Sequence, residues 1–262
     1  MGTVTASHFI EHMIWDEVAR QIANGAAAIL PVGAAAKEHG FHLPLNTDRI
    51  QAEFLSCRLA ERIDALIWPT LAYGHYPAFV AYAGSSSLSA STFEAVVHEI
   101  ATDIIGSGCR KLFVLNTGIS TLAPVERALA RLDADRVMHL RIHNGPRYRK
   151  AAEQLSEQSH GSHADELETS LMLALAPQLV DMARAEPSPA IGYEAPGPLT
   201  PSDVNSPNYS RSGSYGDPTL ATLAKGEILL AAMLDDVREQ ATTFVAEDGA
   251  KQRSGAIRSV SR

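Results

Sequence analysis

Two histidines and two carboxylates crowd the stretch AILPVGAAAKEHGFHLPLNTD, residues 28–48: Glu38, His39, His42 and Asp48. Imidazole nitrogens and carboxylate oxygens are the ligands that Zn²⁺ or Mn²⁺ accepts, so the chemistry they offer is that of a divalent-ion centre. A second group lies far downstream in HADELETS, where Asp165, Glu166 and Glu168 follow His163. A histidine there, with a pKa near neutrality, can take up and return a proton. From spacing alone, the first group reads equally well as polar loop residues with Asp48 capping a helix. The second reads also as acidic residues complementing a helix dipole, with His163 as the cap.

The elements that must hold these residues follow from hydrophobic periodicity. Ala28–Val32 has the length of a buried strand, Gly33 ends it, and Thr47 or Asp48 can cap a helix reaching Ile63 with Ile50, Phe54, Leu55 and Leu59 at helical spacing. The first group therefore sits where a strand gives way to a helix, and in open α/β sheets ligands bind outside the carboxyl ends of the strands. Periodicity further predicts a helix over His8–Ala23, a short strand at Leu66–Trp68, a helix Thr92–Ile105 capped by Ser91, and a strand Lys111–Asn116. A helix near Pro124, a strand Val137–His143, a helix from His160 to Pro177 and a last helix opening at Asp217-Pro218 follow. This succession predicts a three-layer α/β/α fold around a mostly parallel sheet, in one domain over residues 1–245, with a polar, basic and disordered tail over 246–262. Residues Leu71 to Leu88 carry no helical period and read as an irregular excursion, in which His75 bonds to backbone at the surface. The Pro-, Gly- and Ser-rich stretch Glu194–Pro218 far exceeds the usual connection and is either disordered or a functional flap.

Bulk properties exclude several classes. The chain has 262 residues, 45% of them hydrophobic, enough for a sizeable core. Its net charge of −8 and the lack of a basic stripe ahead of the tail argue against a nucleic-acid partner. Two scattered cysteines make neither a disulfide framework nor a thiolate ion site, which fits a reducing cytoplasm. No apolar run approaches the roughly 18 residues of a membrane span, and the N-terminus lacks a basic region followed by an apolar core, so a non-exported protein with no membrane partner is expected.

The string HGFHLPLNTD after PVG resembles the signature of the creatininase (creatinine amidohydrolase) family, and so do KLFVLNTG, HADELETSLMLAL and GDPTLATLAKGEILL. The resemblance spans Ala28 to Leu230. It implies a metal-dependent hydrolase that cuts an amide or related C–N bond in a small, cyclic molecule, using one or two Zn or Mn ions, in a closed hexameric ring. It also implies roles for residues. His39 and Asp48 match the first-loop ligands, Glu38 stands beside them although the usual spacing is E-x-H, and Glu168 matches the carboxylate at the metal. His163 and Glu166 match the segment that handles protons on the scissile group, while His42 lies next to the ion rather than on it. The chain departs from the family at the turn after KLFVLN, where Gly118 replaces a histidine and Ser120 a glutamate found in some members. A two-ion centre of the usual kind is therefore not expected: either one ion persists, held by Glu38, His39, Asp48 and a further carboxylate such as Glu168, or the site works differently. Two alternatives stay open: a single-metal enzyme that opens or isomerises a cyclic ketone or sugar-like ring, and a non-catalytic small-molecule binder.

Overall fold

The computed structural model describes residues 8–189 and 197–259, with side chains described as far as 246. Four strands form one parallel sheet in the order β2-β1-β3-β4: β1 (Ala27–Val32), β2 (Ala65–Ile67), β3 (Leu112–Asn116) and β4 (Val137–Arg141). Register pairs Val32 with Asn116 and Asn116 with Arg141, so three strands end side by side. Consecutive side chains of a strand point to opposite faces, and the two apolar clusters divide accordingly. Ile29, Ile67, Phe113 and Leu115 face one way, onto α2 (Thr47–Ile63), α5 (Pro146–Leu155) and α7 (Leu223–Ser259). Leu30, Val32, Leu112 and Val114 face the other, onto α3 (Ala90–Gly106) and α4 (Leu122–Leu129). Because β1 and β3 are buried on both faces, their sequences are continuous apolar runs without alternation. The three-layer architecture with a parallel sheet matches the expectation. The helical backbone of α7 continues past position 245, where the sequence reading ends the domain.

Several boundaries move for local reasons. The expected helix from His8 opens as a 3-10 turn, Ile10–His12, and α1 proper is Trp15–Ala23. Ser89 rather than Ser91 caps α3, its hydroxyl accepting from the Thr92 amide at 3.1 Å. The expected helix from His160 begins only at Glu166, because the Asp165 carboxylate accepts the amides of Leu167 and Glu168, both at 3.0 Å, and so caps α6 (Glu166–Leu175). His163 thus lies in the turn entering the helix. Helix α5, which no periodic signal predicted, starts with Pro146 just after Gly145.

Candidate active site

The loop after β1 carries the first group over the sheet's carboxyl edge. His39 is fully buried, and its Nδ1 lies 2.9 Å from the Lys37 carbonyl. A carbonyl only accepts, so Nδ1 bears the hydrogen and Nε2 points its lone pair at two carboxylates, Asp48 Oδ1 at 3.4 Å and Glu168 Oε1 at 3.9 Å. His163 is built the same way. Its Nε2 donates to the Glu38 carbonyl at 2.8 Å and faces Glu38 Oε2 at 3.3 Å, leaving Nδ1 toward Glu168 Oε2 at 3.8 Å. Two imidazole lone pairs and a carboxylate converging with no hydrogen shared between the rings and Glu168 repel one another, an arrangement that a cation between them would relieve. His39, His163 and Glu168 each offer a ligand atom within 4.8 Å of the others, which fits one divalent ion.

The remaining expected residues are placed differently. Asp48 is engaged by an ammonium: Lys37 Nζ lies 2.7 Å from Asp48 Oδ2, with both side chains buried. Burial opposes the Lys37 charge, but Asp48 first and then Glu168 outweigh it and raise the lysine's pKa. Burial likewise works against the Asp48 carboxylate, which Lys37 and His39 nevertheless hold well below the usual range. Glu38 bonds to the Gly40 amide and to His163, which hold its pKa down against burial. It therefore braces His163 and lies outside the three-residue group. Gly213, at φ +91°, lets the downstream loop press on Glu38, since a Cβ there would stand 2.0 Å from the carboxylate carbon. Glu166 does not join the site: it faces away from the cavity and accepts the Glu157 and Gln158 amides, each at 2.9 Å, and the Lys225 ammonium. Its position on the helix, two residues before Glu168, points it to another side.

A cavity of about 730 Å³ opens over this cluster, lined by Lys37, Asp48, His143, His163 and Glu168 among polar groups and by Phe79, Ile119, Leu167 and Leu199 among apolar ones. Glu194–196 of the long loop lie outside the described residues. From 197 the chain folds over the cluster, pinned where the Tyr215 amide donates to the His163 carbonyl at 2.8 Å and the Tyr82 hydroxyl to the Ser210 carbonyl at 2.6 Å. Gly197, Leu199, Asn208 and Tyr215 line the cavity, as a functional flap would.

The turn after β3 is rebuilt without ligands. Asn116 Oδ1 accepts from the Gly118 amide at 3.1 Å and the Thr121 hydroxyl at 2.8 Å, and a Cβ on Gly118 would meet Thr121 Oγ1 at 2.6 Å. Thr117 instead ties the turn to the site, its hydroxyl reaching the Asp48 carbonyl at 3.2 Å. His143 Nε2 donates to the Thr117 carbonyl at 3.2 Å, so its Nδ1 carries a lone pair on the cavity wall. Neither Lys37 nor His143 was picked out as a site residue from the sequence. The signal for Lys37 was present in the E-x-H spacing, which places it, and not Glu38, two residues before His39. His143 carries no comparable signal.

The other histidines are accounted for locally. His75 Nδ1 bonds to the Leu88 carbonyl at 3.0 Å, His98 is half-buried and bonds to the Ala128 carbonyl at 3.1 Å, and His139 packs against Asn116. His42 lies under the site, 2.7 Å from Thr169 Oγ1, and burial pulls its pKa down from 6.5 to about 4. The unfolded chain then binds the extra proton first, so stability is full above about pH 6.5 and falls as the pH drops toward 4, by about 3 kcal/mol in total. Denaturant midpoints across this window, compared with those of His42→Gln, measure the effect; the variant is expected to show the shallower acid loss.

Fold and site together define an α/β protein with a His39, His163 and Glu168 cluster that could hold an ion, near the carboxyl edge of a parallel sheet. A family model described as creatinine amidohydrolase matches residues 11–241. The chain belongs to the creatininase family. It is 29% identical over 270 residues to the creatinine amidohydrolase of Pseudomonas putida, an alignment covering 90% of this chain and 98% of that one. A mycofactocin precursor peptide peptidase of Mycobacterium tuberculosis is 28% identical over 236 residues, 84% of this chain and 87% of that one. Among solved structures, "Creatininase Mn" superimposes with TM-score 0.75 at 27% identity, covering 89% of this chain and 97% of that one. A mutant creatininase of "Zn-Zn type" does so with TM-score 0.72 at 27% identity, covering 89% and 96%.

Proposed function

We propose that the chain is a metal-dependent hydrolase of an amide or related C–N bond in a small molecule, with one divalent ion held by His39, Glu168 and His163. The observation that carries this reading is the convergence of two imidazole lone pairs and one carboxylate at the base of the cavity. The relatives named for creatinine and for a precursor peptide both act on C–N bonds, which supports the reaction class. When bound, the ion supplies a Lewis acid that polarises a carbonyl and acidifies water. The His163 ring, expected from sequence to move protons, is assigned to the ligand set because Glu38 occupies its Nε2–H. Proton transfer falls to His143, whose free Nδ1 lone pair takes the proton of water and returns it to the leaving nitrogen. Burial lowers the His143 pKa, which keeps the ring a neutral base at pH 7. Phe79, Ile119 and Leu199 supply an apolar wall for the substrate body.

The test is elemental analysis of purified protein, followed by a hydrolysis screen of metal-loaded protein against cyclic amides, formamides and cyclic ketones. Turnover of a C–N substrate with at least one bound ion is the expected result. Turnover of a cyclic ketone alone would favour ring opening of another kind, and a protein without any ion would remove the metal assignment. With a substrate in hand, His143→Gln is expected to lower kcat by about 10²–10⁴-fold with ion content unchanged. In the wild type, kcat/KM is expected to fall on the acid side only below the ordinary imidazole range, because His143 must lose its proton to act. An acid limb at or above pH 6.5 would place the base elsewhere.

A further inference from the structure

Lys37 is an unusual wall for such a cavity. Its side chain is almost wholly buried, its ammonium stands 2.7 Å from Asp48 Oδ2, and it lies over the rings of Phe79 and Tyr76 at 5.2 and 5.5 Å from their centroids. Aromatic faces and a carboxylate together make a binding place for a cation. That place is filled by the chain itself. Among the described residues, the one group of three or more side chains able to hold an ion is His39, His163 and Glu168, and Asp48 is outside it. The Zn-Zn type creatininase, by its name, holds two zinc ions on the same fold. Here the turn that approaches Asp48 from β3 offers only Thr117, Gly118 and Ser120, and a Cβ at Gly118 would meet the Thr121 hydroxyl oxygen at 2.6 Å. Buried carboxylates need a counter-charge, and Asp48 has one covalently attached to the neighbouring loop.

We infer that the Lys37 ammonium stands beside Asp48 in place of a second divalent ion, leaving the centre with a single exchangeable ion at His39, His163 and Glu168. The inference rests on the single-ion reading proposed above. An ammonium donates hydrogen bonds to a carbonyl oxygen and attracts negative charge, but it has no vacant orbital for water. Lys37 thus offers the substrate a fixed positive charge with no dependence on metal supply.

Chelator-stripped protein titrated with Zn²⁺, with bound ion measured calorimetrically and by elemental analysis, tests this. The wild type is expected to take one equivalent per chain and Lys37→Arg to keep one. Lys37→Met, which keeps the stem and removes the charge, is expected to gain a second, weaker equivalent at Asp48. Two equivalents in the wild type would overturn the inference while leaving the metal assignment intact, whereas none would overturn both. A folded Lys37→Met protein that still takes one equivalent with unchanged affinity would also overturn it. Should that variant not fold, the wild type loaded to saturation with Co²⁺ decides the matter: an isolated high-spin signal supports a single ion, and a spin-coupled pair overturns the inference.

Discussion

Glu168→Gln is expected to weaken ion binding by at least about 100-fold and to lower turnover by about 10²–10⁴-fold. Glu168 is the carboxylate shared by the two imidazoles, with one oxygen 3.9 Å from His39 Nε2 and the other 3.8 Å from His163 Nδ1. Burial raises its pKa, but its neighbours, His39 first and then His163 and Lys37, hold it below the ordinary value. Both oxygens also accept hydrogen bonds, from the Ala164 amide at 2.7 Å and from Gln51 Nε2 at 3.2 Å. A glutamine removes the negative charge and turns one of these acceptors into a donor, so one contact becomes donor against donor. Isothermal titration with Zn²⁺ and circular dichroism separate loss of the ion from loss of the fold. A folded Glu168→Gln protein that binds the ion as tightly as the wild type would sink the ligand assignment.

The second large effect concerns stability. Glu166 is completely buried, and Lys225 is its counter-charge, reaching also Glu157 Oε1 at 2.5 Å and the Leu220 carbonyl at 3.0 Å. Lys225→Met leaves the carboxylate with only neutral donors, the Glu157 and Gln158 amides and the Ser156 hydroxyl at 3.4 Å, and stranding one partner of a buried pair costs about 3 kcal/mol. The damage reaches the cavity, because Glu166 holds the amides of Glu157 and Gln158, and Gln158 lines the wall. Urea unfolding is the measurement. A loss below about 0.5 kcal/mol would show that the neutral donors suffice. Removing both charges, as in Lys225→Met with Glu166→Leu, is expected to restore part of the stability, since two apolar groups need no desolvated charge.

The fold was legible where one physical signal dominated. Ala28–Val32 and Leu112–Asn116 are apolar because both faces of their strands are covered, and α2 is placed by the apolar residues spaced along it, although Asn46 rather than Thr47 or Asp48 stands at its N-cap. The site was legible as far as a motif fixes residue type: His39, His163 and Glu168 do meet. What failed was direction. HADELETS reads as a continuous helix until Asp165 is seen to cap it, and the cap decides that Glu168 faces inward while Glu166 faces Lys225. Asp48 reads as a ligand from its neighbours in sequence, but a charge is committed by its neighbours in space, and Lys37 is one that a search for ligands passes over. His143 comes to the cavity through the parallel register of β3 and β4, which no local pattern encodes.

The bond between His163 and the Glu38 carbonyl joins residues 125 apart in the chain. No local folding event can assemble such a pair, because the loop between them must close first. The proposed ion site therefore forms only in chains that have already docked α6 and its entering turn onto the loop after β1. Metal affinity and folding are then one equilibrium read from two ends. Free ion at about 1,000 times its dissociation constant adds about 4 kcal/mol to the folded state, while a partly unfolded chain has no cluster with which to hold it. On the single-ion reading proposed above, depletion of the ion is expected to act twice, by stopping the proposed chemistry and by loosening the clasp between the two halves of the chain.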